Sequence, residues 1–171
     1  TIIERQASEV SEVERTAGLL NERTRQLVGM LELVSAQLPV KSLDSYAALV
    51  ALLGQRPLLT SAFDTVYFAS SDGRMRIVHD ERGFRDTEVS LHDRPYFNEV
   101  LNTGRPVISE PVMGRLSGEP VVVVSVPVLH EGRAVGVLGG GIRIRSHPLL
   151  SGLQGIGTTA ELQSKLSAPL V

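Results

Sequence analysis

The sequence of 171 residues contains no cysteine, which excludes disulfides, thiolate catalysis and cysteine metal ligands. The formal net charge is −2, so there is no basic excess of the kind that indicates a nucleic-acid surface. No run of about 18 consecutive apolar residues is present, and a membrane-spanning helix needs at least that length. What remains is a soluble domain, 42% hydrophobic and long enough to bury one core.

The motifs of enzymes and metal sites are also missing. The four histidines are scattered, and neither a nucleophile elbow nor a pair of catalytic carboxylates is present. The glycine run Gly139-Gly140-Gly141 lacks the Lys-Ser/Thr pair and the helix start of a phosphate-binding loop. We therefore expect no catalytic residue, no metal ligand and no cofactor in this chain.

A long amphipathic helix is predicted at the N-terminus. Apolar residues recur there at alternating steps of three and four, which is the spacing of a coiled-coil seam. They are Ile3, Ala7, Val10, Val13, Ala17, Leu20, Leu27, Leu31, Val34 and Leu38. Such a seam packs either against a second subunit or against the helix's own domain. We predict a homodimer through residues Ile3 to Leu38, with packing inside one chain as the alternative for the C-terminal half.

After a second helix, which we expect to be capped by Ser42, the period of the apolar residues changes to two. Leu58–Ala62 should be a connection and Asp80–Ser90 a loop. The short connections favour antiparallel pairing and an α+β domain, in which helices pack on a five-stranded sheet. The predicted strands are Phe63–Ala69, Arg74–His79, Val107–Met113, Val121–Leu129 and Ala134–Ile144.

A short helix is predicted between the second and third strands, from Asp93 to Leu101. Asp93 is expected to cap it, Pro95 suits its first turn, and Gly104 should end it. Arg94 and Tyr96 would then face a small pocket above the sheet.

Four consecutive stretches resemble Cache domains, the PAS-like extracytoplasmic sensor modules of bacterial receptors. The resemblance covers Phe63–Ile144 and, in architecture, Thr1–Leu53. The stretches are Asp93-Arg94-Pro95-Tyr96-Phe97, Gly104 to Val112, Pro120 to Val128 and Gly132 to Gly141. The resemblance implies a PAS-like sensor between two transmembrane helices, with a cytoplasmic diguanylate cyclase, histidine kinase or chemotaxis signalling domain as output.

The sequence departs from the amino-acid-binding branch of that family. That branch usually has an acidic residue near the end of the last strand, where this chain reads Gly141-Ile142-Arg143-Ile144-Arg145. Only about 27 residues follow, so we expect a single module or half of a truncated pair. The predicted division is residues 1–57 for the two N-terminal helices, 58–146 for the sensor module and 147–171 for a connector or helix.

Six residues are candidates for ligand binding. Arg94 at a helix start could grip a carboxylate through two hydrogen bonds, and Tyr96 would offer a hydroxyl. The alternatives are a surface arginine paired with Asp93 or Glu99, and a core tyrosine. The hydroxyl expected to be buried at Ser125 needs a hydrogen-bond partner, which could be the backbone or the ligand. Arg115, in the predicted turn between the third and fourth strands, could be a second cation beside Arg94. The full set is Arg94, Tyr96, Arg115, Ser125, Tyr67 and His92.

Together these features predict a periplasmic input domain of an inner-membrane signalling protein. It would bind a small-molecule ligand, a carboxylate or an amino acid, and relay a conformational change through the long helix. It is not expected to be an enzyme. Two alternatives are a structural dimerisation module without a ligand and a cytosolic PAS-like regulatory domain.

Overall fold

The computed structural model describes residues 22–144 of the chain. Residues 22–37 form helix α1, and a short 3-10 turn, Val40–Ser42, follows Pro39. The predicted long helix is thus present from residue 22. The earlier half of its apolar seam and the predicted C-terminal connector lie outside the described residues.

Two further helices precede the sheet, α2 at Tyr46–Gly54 and α3 at Pro57–Ala62. The predicted cap of α2 is wrong, because Ser45 accepts the hydrogen bond from the Ala48 amide and Ser42 instead donates to the Pro39 carbonyl. The predicted connection at Leu58–Ala62 is also wrong. It is helical because Pro57 occupies a position in the first turn where the missing N–H costs nothing.

Between residues 22 and 144, seven strands form one antiparallel sheet. They are β1 Thr65–Ser70, β2 Met75–Asp80, β3 Gly83–Arg85, β4 Val107–Ile108, β5 Val112–Met113, β6 Pro120–His130 and β7 Arg133–Arg143. The five predicted strands are all present, which confirms the α+β, PAS-like fold class. Two boundaries differ, since β3 lies within the predicted loop and the third predicted strand is divided into β4 and β5. The order of the strands across the sheet is β3-β2-β1-β7-β6-β4, and β5 also pairs with β6.

The division between β4 and β5 has a local cause at Ser109. The Ser109 amide donates to the Val123 carbonyl, and the Val123 amide donates to the Ser109 side-chain oxygen at 2.8 Å. The side chain therefore replaces the backbone carbonyl as acceptor, and Pro111 has no N–H to continue the ladder. The chain leaves the sheet edge here and returns as β5.

Helix α4 spans Pro95–Thr103 and ends at Gly104, whose φ of 65° is in the left-handed region that glycine favours. The prediction that Asp93 caps this helix is wrong. The cap position belongs to Arg94, whose side chain makes no capping hydrogen bond. Asp93 lies one residue too early, and its carboxylate is paired elsewhere.

The two faces of the sheet carry separate cores. One core joins α1 and α2 to the sheet, and Leu27 and Leu31 of α1 are 2% and 0% exposed within it. The other core lies under α4 and includes Phe97. The described part of the α1 seam therefore packs inside its own chain, as the alternative interpretation predicted.

The predicted division of the chain between residues 57 and 58 stays a prediction, although α1 and the sheet share a core. No helix between residues 22 and 144 is long and apolar enough to cross a membrane.

Candidate ligand-binding site

A cavity of about 50 Å³ lies on the α4 face of the sheet. Strands β1, β6 and β7 form its floor, Tyr96 of α4 forms one wall, and the turn after β5 forms another. The lining is mainly apolar with a few polar groups, which is the usual composition of a small-molecule site. The lining residues are Thr65, Tyr67, Met75, Leu91, Tyr96, Val112, Gly114, Arg115, Leu116, Ser117, Val121, Val123 and Gly141.

Glycines of β7 give the floor its shape. A Cβ atom on Gly139 would lie within 2.6 Å of the Tyr67 ring, so the ring rests where a side chain would otherwise stand. A Cβ atom on Gly141 would meet only the Thr65 Cβ, at 3.7 Å. Gly139 is therefore required for packing, whereas Gly141 leaves open space in the cavity.

A buried pair of hydroxyls supports the floor. The Tyr67 hydroxyl lies 3.3 Å from Ser125 Oγ, and both residues are buried. Burial raises the pKa of Tyr67 well above its usual range, so its hydroxyl remains protonated. Ser125 points to the same face as Val121 and Val123, as predicted, but it is not among the residues that line the cavity. Its hydroxyl provides the partner that a buried Tyr67 needs.

Arg115 is the charged side chain among the described residues that line the cavity. Its Nη2 lies 2.5 Å from Asp93 Oδ2, and its Nη1 donates to the Ser90 carbonyl. The hydrogen bond from Arg115 lowers the pKa of Asp93 to about 2. The same contact raises the pKa of the guanidinium, so both groups are charged over the physiological range.

Arg94 does not line the cavity. Its Nη2 donates to the Met113 carbonyl at 2.8 Å, which ties the start of α4 to β5. Its Nε is buried and has no hydrogen-bond partner among the described residues. Tyr96 does line the cavity, and burial raises the pKa of its hydroxyl. His92 is exposed and directs Nδ1 toward Ser90 Oγ, 3.0 Å away.

Three of the six predicted site residues, Tyr67, Tyr96 and Arg115, thus meet at the cavity, and Arg94, Ser125 and His92 do not line it. The alternation of side chains along a strand could have predicted that Thr65 lines the cavity, because Thr65 is on the same face of β1 as Tyr67. No comparable signal marks Leu116 or Ser117, because the conformation of an irregular turn decides where they point. No group of His, Cys, Asp or Glu within residues 22–144 is arranged to hold a metal ion.

These features define an antiparallel PAS-like domain with a small cavity on the face opposite α1. No family model matches the chain, and no curated protein does. Solved structures do match, among them ligand-binding domains of the amino acid chemoreceptors PctC and PctB and of the chemoreceptor CtaA.

The domain of PctC from Pseudomonas aeruginosa, in complex with GABA, has a TM-score of 0.67 and 21% identity over 86% of this chain and 69% of that one. The domain of CtaA from Pseudomonas fluorescens, with L-isoleucine, has a TM-score of 0.66 and 20% identity over 91% and 63%. PctB from Pseudomonas aeruginosa, with L-Arg, has a TM-score of 0.63 and 22% identity over 85% and 59%.

These likenesses show that the chain shares the fold of these ligand-binding domains. The chain spans between 59% and 69% of the length of the three matched chains.

Proposed function

We propose that this chain is the ligand-sensing input domain of a bacterial transmembrane signalling protein and that its ligand is a small organic carboxylate. The observation that carries the proposal is the position of Arg115, which lines the same mainly apolar cavity as Tyr67 and Tyr96. A guanidinium binds a carboxylate through two parallel hydrogen bonds, and Tyr67 and Tyr96 can add neutral donors.

The charge of the cavity favours an acid over an amine. Among the described residues that line it, none is acidic, and Gly141 stands near the end of the last strand. A ligand ammonium group would lose water there without gaining a counter-charge. GABA, L-isoleucine and L-Arg, bound by the neighbours, share a carboxylate with the ligand proposed here. The volume of about 50 Å³ suits an acid of few atoms.

The sheet offers a route from the cavity to helix α1. Side chains alternate along β1, so Tyr67 faces the cavity while Val66 and Phe68 lie in the core shared with Leu27 and Leu31. A ligand that favours one position of β1 would therefore favour one packing of α1. Only a difference in affinity between the two states can do this, and couplings of about 1–3 kcal/mol are typical.

The remaining parts of the proposal concern the whole protein. We place the domain in the periplasm between two transmembrane segments, with a diguanylate cyclase, histidine kinase or chemotaxis domain as output. We also propose a homodimer through the seam predicted for residues Ile3 to Leu38. Because Leu27 and Leu31 are buried against their own sheet, we propose that the intersubunit contact uses the seam positions before residue 22.

Thermal unfolding with added ligands tests the carboxylate proposal. Propionate and pyruvate should raise the melting temperature, L-alanine should raise it less, and propylamine should leave it unchanged. The Arg115→Gln variant should lose the response, and Arg105→Gln, which alters an exposed arginine outside the cavity lining, should keep it. A response that survives in Arg115→Gln would refute the assignment. If no acid changes the melting temperature, the structural dimerisation module becomes the better explanation.

Sedimentation equilibrium tests the homodimer. Val10→Glu combined with Val13→Glu should yield a monomer, because two charges in an apolar seam are costly to bury. An unchanged mass for this variant would contradict the proposed contact. The full-length gene tests the location, since a protein without transmembrane segments on both sides would instead be the cytosolic regulatory domain.

A further inference from the structure

We propose that Asp93 is an internal competitor for the ligand, because its carboxylate is hydrogen-bonded to the same Arg115 guanidinium that a bound acid would use. Asp93 would thereby set the affinity and determine which acids bind. This inference rests on the proposed carboxylate-binding function.

Arg115 is already hydrogen-bonded through both of its terminal nitrogens. Both of its terminal nitrogens are engaged from outside the cavity, Nη2 by Asp93 and Nη1 by the Ser90 carbonyl. Asp93 does not line the cavity, whereas Arg115 does. A two-point grip on a ligand carboxylate needs adjacent N–H groups in one plane. Each partner takes one of the five N–H groups of the guanidinium, so the competition that we propose concerns a ligand that takes the N–H of Nη2 now held by Asp93.

The opposite charges of Arg115 and Asp93 also affect how strongly an anion is attracted. Asp93 compensates the positive charge of Arg115, so an entering anion is attracted weakly while the pair is intact. The side chains of Arg115 and Asp93 are 28% and 53% exposed, so solvent can replace each partner. Exposed ion pairs of this kind contribute little to stability. A ligand carboxylate can therefore exchange with Asp93, and the exchange reduces its apparent affinity only modestly.

The pair also joins two segments at the rim of the cavity. Leu91, two residues before Asp93, lines the cavity, and Arg115, Leu116 and Ser117 line it from the turn after β5. Release of Asp93 would remove one of the links between these segments, which the Arg94–Met113 and Arg115–Ser90 hydrogen bonds also join. The exchange of one carboxylate for another would in this way report ligand binding to the entry of α4. An acid that reaches Arg115 without displacing Asp93 would bind without producing this change.

Calorimetric titration with propionate and pyruvate tests the inference on the wild-type chain and on Asp93→Asn, Asp93→Ser and Arg115→Gln. Glu88→Gln is the matched control, since Glu88 forms a comparable ion pair with Arg74 in which neither partner lines the cavity. Removing a competitor of this strength should tighten binding about two- to fivefold. Both Asp93 variants should show it, Glu88→Gln should bind like the wild type, and Arg115→Gln should bind more weakly.

The outcomes separate the two proposals. Binding that requires Arg115 but is unchanged or weaker in both Asp93 variants would overturn the competitor and leave the carboxylate site standing. Absence of binding by the wild type and by both Asp93 variants would overturn both. Binding by the Asp93 variants alone would support the competitor strongly. Melting curves of every variant ensure that affinities are compared between folded proteins.

Discussion

Two alanine substitutions on one strand should have opposite effects, although their sites are only two residues apart. Gly139 and Gly141 both lie in β7 and point to the α4 face of the sheet. A methyl group on Gly139 would overlap the Tyr67 ring, whereas one on Gly141 would meet only Thr65 at ordinary contact distance. Neither glycine has a positive φ, so alanine is compatible with the backbone at both positions.

The magnitudes follow from the surroundings. Overpacking in a well-filled core costs about 1–3 kcal/mol. The Tyr67 ring cannot move away from Gly139 without losing its contact with Ser125, which adds about 1 kcal/mol. We therefore expect Gly139→Ala to destabilise the fold by about 2–4 kcal/mol, or about 5–15 °C in melting temperature. Gly141→Ala should be neutral or stabilise by up to about 1 kcal/mol, because alanine restricts the unfolded chain.

Urea unfolding followed by circular dichroism measures both values, and an unchanged slope would show that only stability has altered. Gly141→Ala should also weaken propionate binding, since its methyl group enters the cavity. The reasoning fails if Gly139→Ala unfolds within about 0.5 kcal/mol of the wild type. It fails equally if Gly141→Ala is as unstable as Gly139→Ala.

Three further predictions concern other parts of the structure. Leu31→Ala should lower the free energy of unfolding by about 2–5 kcal/mol, because Leu31 is 0% exposed in the core between α1 and the sheet. Leu33→Ala, at a position 65% exposed, should lower it by less than about 0.5 kcal/mol in the same urea assay. Equal losses would contradict packing of α1 within its own chain. Tyr67→Phe should cost about 1–2 kcal/mol and show coupling with Ser125→Ala in a double-mutant cycle, whereas strictly additive effects would mean that their contact contributes nothing. The pKa of Asp93 is about 2, below its unfolded value of about 3.9, so its contribution is present above about pH 4 and lost as the pH falls through about 2; Asp93→Asn should lose less stability than the wild type between pH 5 and pH 2.5.

The strands could be predicted because their signals are local. A β-branched run with a period of two needs no knowledge of its partner, and β6 begins and ends within a residue of the predicted strand. The start of α4 at Pro95 and its end at Gly104 are also marked locally, since the fixed φ of proline suits the first turn of a helix and glycine can adopt the left-handed φ that ends it. The short edge strand β3 was missed because pairing with β2, rather than its own composition, makes it a strand.

The cavity was harder to predict because its charged group depends on contacts distant in sequence. Arg94 and Arg115 are both arginines near a turn, and nothing in their neighbours shows which one reaches the cavity. Backbone groups distant in sequence fix the position of each arginine. Arg94 donates to the Met113 carbonyl, 19 residues away, and Arg115 to the Ser90 carbonyl, 25 residues away. Each arginine therefore bonds the segment that carries the other. Asp93 was expected to cap α4, and its pairing with Arg115 follows from the same crossing.

The width of the apolar stripe carries more information about α1 than its spacing does. The four-three-four spacing of Leu27, Leu31, Val34 and Leu38 fits a partner helix and a sheet equally well. Val28, however, is also buried, at 5% exposure, and it widens the stripe beyond the two positions per heptad of a coiled-coil seam. A broad stripe is what a helix presents to a flat sheet. Before residue 22, Val10 and Val13 are single apolar residues next to Glu9, Glu12 and Glu14, so the sequence offers a narrower apolar stripe there, where we propose the second subunit to lie.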